Sequence, residues 1–90
     1  MESNNISEAE VIGIDLGDRT SQFVGLRADG EAVATGRVTT TAAAMTREFS
    51  SIGSKVIAIE TGTHSPWISR LLTQLGHRVV VANSRKLRLI

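Results

Sequence analysis

The sequence predicts a small α/β domain built on a mixed sheet, with elements in the order βββαβαβ. Three observations predict it. The runs Val11-Ile12-Gly13-Ile14 and Val56-Ile57-Ala58-Ile59 are apolar throughout rather than alternating, the pattern of strands buried on both faces of a sheet. The stretch between Ser21 and Val38 is β-rich and is interrupted by Asp29-Gly30, a hairpin signal. Further on, two segments place apolar residues at helical spacing behind recognisable start signals.

Taken in order, residues 1–10 read as a frayed polar leader and residues 11–90 as one domain. The first strand covers 11–16, and Gly17-Asp18-Arg19-Thr20 forms a turn. Strands over 21–28 and 31–38 complete an antiparallel meander, with Ala32, Ala34 and Gly36 sharing one face. Thr39-Thr40-Thr41 supplies N-cap candidates for a helix from Ala42 to Ser51, which carries Ala43, Met45 and Phe49 and stops at Gly53. A fourth strand spans 55–60. Ser65-Pro66 opens the second helix, where Ile68, Leu71, Leu72 and Leu75 form one apolar stripe and Gly76 ends it. Residues 78–82 make a fifth strand, and 83–90 are basic and apolar. Right-handed crossovers then make strands one, four and five parallel neighbours.

Composition narrows the function classes. Hydrophobic residues make up 41% of the chain against 21% charged, a balance that folds. No apolar stretch approaches the roughly 20 residues of a membrane span, and the polar, acidic Met1–Asn5 is no signal peptide. The chain has no cysteine, which excludes disulfides and thiolate metal sites and suits a reducing cytoplasm, the expected location. With no Tyr and only Phe23, Phe49 and Trp67 as aromatics, a stacked-base platform for single strands is disfavoured.

The net charge of +1 hides an asymmetry. Residues 1–60 hold five basic groups and all nine acids, −4 in sum, whereas residues 61–90 hold Arg70, Arg78, Arg85, Lys86 and Arg88 and no acid, +5 in sum. That distribution points to a polyanion contact at Arg85, Lys86 and Arg88, with an ordinary solvated surface as the equal alternative.

Both apolar runs end in a carboxylate: Asp15 closes the first and Glu60 the second. An acid at the end of a buried strand is costly to desolvate unless it is paired or holds a metal, and in open α/β sheets ligand chemistry gathers beyond the carboxyl ends of the strands. If the two strands are adjacent, their ends lie about 4.8 Å apart. Asp15 and Glu60 then bracket one divalent ion or help hold a pair about 3.5–4 Å apart, and oxygen-only ligands favour Mg²⁺ or Mn²⁺ over zinc. The bland reading, acids that cap strand ends or pair with Arg19 or Arg78, fits each residue singly; their matched placement favours function. Gly17 relaxes the turn after Asp15 and lets a phosphate approach. His64 stands before a helix N-terminus and reads as a phosphate contact or, more simply, a loop histidine. Asp18 reads as a turn former, Trp67 as core packing, and His77 has no evident partner.

The segments Val11-Ile-Gly-Ile-Asp-Leu-Gly-Asp-Arg-Thr20, Ala58-Ile-Glu-Thr-Gly-Thr-His-Ser-Pro-Trp67, Leu71–His77 and Val81–Arg88 resemble the N-terminal domain of DEDD-type insertion-sequence transposases. These are RuvC-like DNA recombinases associated with a guiding bridge RNA. The resemblance spans nearly all of 11–90. It implies an RNase H-like (RuvC-like) mixed sheet, incomplete at the C-terminus, and Mg²⁺- or Mn²⁺-dependent cleavage and exchange of DNA strands. It also implies a guide RNA and a homo-oligomeric complex of the full-length protein as partners. Asp15 matches the first family acid and Glu60 the second. The remaining two, an Asp-x-x-Asp pair, and a serine-bearing domain would lie beyond Ile90, so the resemblance implies a truncated domain without activity of its own.

Gly13-Ile14-Asp15-Leu16-Gly17 also suits the phosphate loop of the sugar-kinase/actin superfamily, although Asp18-Arg19 makes a poor phosphate cradle. A third reading is non-enzymatic: a small nucleic-acid-binding or subunit-interaction remnant that uses the basic C-terminal end.

Overall fold

The computed structural model describes residues 5–83. Five strands form one mixed sheet: β1 (Val11–Asp15), β2 (Thr20–Leu26), β3 (Ala32–Thr39), β4 (Val56–Glu60) and β5 (Arg78–Ala82). Two helices, α1 (Ala42–Phe49) and α2 (Ser65–Gln74), connect β3 to β4 and β4 to β5. The strand order is β3-β2-β1-β4-β5, antiparallel from β1 through β3 and parallel across β1, β4 and β5. The expected α/β architecture and its parallel trio are therefore present.

Both helices pack on one face, where Ile12, Ile14, Ile57 and Ile59 meet Met45, Phe49, Ile68 and Leu72, all buried. The rings of Phe23 and Phe49 meet edge to face at 5.4 Å. Gly36 makes room for this pair: a Cβ there would stand 2.6 Å from the Phe23 ring. Thr41 caps α1 by accepting the Ala44 N–H at 3.2 Å. At the end of α2 the His77 N–H reaches the Leu72 carbonyl and the Gly76 N–H reaches Thr73, a Schellman closure that needs the left-handed Gly76, φ +100°.

The structure departs from expectation in several places. The opposite sheet face is open, so β1 and β4 are covered on one side only, and Val11 is 36% exposed. The hairpin between β2 and β3 has a longer loop than Asp29-Gly30 alone: Arg27 and Glu31 close it, with the Gly30 N–H bonded to the Arg27 carbonyl. Gly25 faces Ala34 while Leu26 faces Ala32, so β3 carries one extra residue there, and Ala32 is exposed while Ala34 is buried. Ala44, rather than Ala43, joins Met45 and Phe49 in the core. Helix α2 starts one residue early, with His64 at its N-cap position.

Nor is the second half of the leader frayed. Ile6–Glu8 form a 3-10 turn, Ala9 is 1% exposed against the space above Gly25, and Glu10 bonds through its backbone to both Leu26 and Val56. His77, expected to lack a partner, is buried between two. Its Nδ1 accepts the Lys55 N–H at 3.1 Å, which leaves Nε2 to donate to the Phe49 carbonyl at 2.7 Å.

Candidate active site

Strands β1 and β4 run parallel in strict register from Val11–Val56 to Ile14–Ile59, so the next positions, Asp15 and Glu60, lie side by side at the carboxyl ends. Alternation puts the isoleucines of both strands into the core and turns Asp15 and Glu60 to the open face. Both acids line a cleft of about 170 Å³ together with Leu16, Asp18, Thr61, Gly62, Thr63 and His64. Both are exposed, so no desolvation cost compels a partner and that part of the sequence argument falls away. Their adjacency is what carries weight.

The cleft walls are the two loops that leave these strands. On the β1 side, Ser21 is fully buried, and its hydroxyl bonds Thr40 Oγ1 at 2.8 Å and accepts the Gly17 N–H at 3.4 Å. Gly17 itself sits so close to the Thr20 carbonyl that a Cβ would come within 2.3 Å of that oxygen. The turn behind Asp15 therefore accepts no side chain at that position. On the β4 side, the Ser65 hydroxyl accepts the Gly62 N–H and donates to the Gly62 carbonyl, and the Thr61 N–H anchors on the Ala82 carbonyl.

A clasp joins the two walls. Trp67 Nε1 donates to His64 Nδ1 at 3.0 Å, and His64 Nε2 lies 3.2 Å from Asp18 Oδ1. An indole N–H only donates, so Nδ1 must be the bare nitrogen and Nε2 the protonated one. His64 thus donates to Asp18 as a neutral ring. Reading Asp18 as a mere turn former and Trp67 as mere packing missed this triad; the i,i+3 spacing of His64 and Trp67 across the first helical turn was its signal.

Two carboxylate donors fit a hard, oxygen-preferring ion such as Mg²⁺ or Mn²⁺, with most of the coordination sphere left to water and substrate oxygens. Among the described residues no cluster of three or more His, Cys, Asp or Glu side chains could hold a metal. Arg85, Lys86 and Arg88, expected to contact nucleic acid, lie outside the described residues. No described helix is long and apolar enough to cross a membrane. Comparison with protein-family models and with curated proteins finds no match.

Proposed function

We propose that the chain supplies the first two carboxylates of a divalent-metal site for phosphodiester cleavage, within an RNase H-like domain of the DEDD transposase type. The observation that carries this reading is the in-register placement of Asp15 and Glu60 at the ends of adjacent parallel strands, facing one cleft. The strand order β3-β2-β1-β4-β5, with β2 antiparallel to β1, supports it further. DNA is the proposed substrate, with a guide RNA and further copies of the chain as the partners implied by the sequence resemblance.

In this role Asp15 and Glu60 would hold Mg²⁺ or Mn²⁺, which would supply Lewis-acid stabilisation and activation of the attacking oxygen. The Gly17–Ser21–Thr40 network fixes the turn after Asp15, and the Asp18–His64–Trp67 clasp fixes the mouth of the cleft. Against the phosphate-loop alternative, the Gly17 N–H is committed to Ser21 and the space beside it is filled by the Thr20 carbonyl.

Isothermal titration with Mg²⁺ and Mn²⁺ tests the assignment. Asp15→Asn and Glu60→Gln are each expected to abolish weak metal binding while raising the apo melting temperature slightly, because two adjacent like charges repel. Unchanged affinity in both variants overturns it.

A further inference from the structure

Strand β5 ends the strand order β3-β2-β1-β4-β5 and forms an edge of the sheet among the described residues. Its centre, Val79-Val80-Val81, is wholly apolar, and Val80 and Val81 are 44% and 46% exposed. Among the described residues no strand lies on its outer side. The Arg78 N–H bonds the Lys55 carbonyl, and the Ala82 carbonyl accepts the Thr61 N–H. Arg78, Val80 and Ala82 thus spend their peptide groups on the β4 side, and by alternation Val79 and Val81 aim theirs outward. Sheet edges left flat and apolar are templates for pairing, and between Val79 and Val81 this one has no lysine, proline or bulge to blunt it.

We infer that two copies of the chain join through antiparallel β5 edges about a two-fold axis at Val80, forming one continuous sheet. Backbone geometry permits that axis, and charge distinguishes it from its neighbours. Val79 and the partner's Val81 then form a hydrogen-bonded pair, as do Val81 and the partner's Val79, and the two Val80 residues form the narrow pair with Cα atoms about 4.5 Å apart. On the helix-bearing face Val81 gains cover from the partner's Val79.

Charge agrees with this register. Arg78 falls opposite the partner's Ala82, which is too small to block it, and Ala82 is paired in the ladder with Glu60. The guanidinium therefore reaches across two strand spacings, about 9.6 Å, to the partner's Glu60 on the same face. Centring the axis on Val79 instead would set Arg78 against the partner's Val80 and lose that pair. The inference does not depend on the metal reading. A ligating carboxylate commonly accepts an outer hydrogen bond as well, so the partner's Arg78 and an ion can share Glu60.

A single strand edge buries less than the roughly 1,200 Å² of stable complexes, so the dimer is weak and concentration-dependent. The chain has no cysteine, which makes crosslinking decisive. Under mild oxidation Val80→Cys forms a covalent dimer, whereas Val24→Cys on the open face and Val79→Cys off the axis do not. In sedimentation velocity the wild-type chain shows a monomer–dimer equilibrium. Arg78→Glu weakens it severalfold, and combining Arg78→Glu with Glu60→Arg restores it. Val80→Lys, at an exposed site that tolerates the change, leaves a monomer with an unaltered circular dichroism spectrum. A wild-type chain that is monomeric throughout and gives no Val80→Cys crosslink overturns the inference, as does a dimer that survives Val80→Lys.

Discussion

His77 does more for the fold than its place between a helix and a strand suggests. It ties the end of α1 to the approach to β4, satisfying the Phe49 carbonyl and the Lys55 N–H at once. His77→Ala is expected to strand both groups, at about 1–3 kcal/mol each, read as a lowered urea midpoint with an unchanged slope. Gly17 is the corresponding pivot at the cleft. Gly17→Ala forces the turn away from the Thr20 carbonyl, with an expected loss of roughly 1–3 kcal/mol and weaker metal binding, while the core stays intact. Trp67→Phe isolates the clasp: the ring remains but the N–H donor is gone. Nitrogen NMR of the His64 ring is expected to show the Nε2–H tautomer in the wild-type chain and a mixture in the variant.

At the scale of elements, caps and register decide where each segment starts and stops. Thr41 in the β region closes the first turn of α1, so Thr41→Ala should cost about 0.5–2 kcal/mol, seen in a thermal melt. The hairpin closes through Arg27 and Glu31, whose side chains also meet at 3.1 Å. The Glu31 carboxylate raises the Arg27 pKa through its hydrogen bond and its charge, and the arginine is fully charged at any working pH. The extra residue in β3 explains why the alanines near the hairpin do not share a face. Such an offset follows from how the loop closes, and strand composition is blind to it.

For the molecule as a whole, the balance of charge sets the expected activity. If Asp15 and Glu60 hold metal as proposed, they would offer −2 against the +4 of a two-ion site, and residues 61–90 add +5 without an acid. The ninety-residue chain is therefore expected to bind nucleic acid weakly, with affinity falling steeply as salt rises, and to leave supercoiled plasmid intact in Mg²⁺ or Mn²⁺. Nicking by the purified chain that vanishes in Asp15→Asn would show that two carboxylates suffice.

The order of strands and helices, the parallel placement of β1, β4 and β5, and the placement of Asp15 and Glu60 at the ends of adjacent strands were legible in the sequence by itself. Each depends on a local period, a capping residue or the handedness of a crossover, and these act over a few residues or one connection. Helix α1, by contrast, ends at Phe49, two residues before the expected Ser51. Tertiary structure alone decided the rest. The apolar character of β1 and β4 implied cover on both faces, but only the placement of α1 and α2 on the same side showed which face is open. The Asp18–His64 bond spans 46 residues, and the two bonds of His77 span 28 and 22. Contacts at such separations depend on where the sheet carries each loop. For the same reason the outward peptide groups of β5 became visible only once its inward ones were seen bonded to the segment that contains β4.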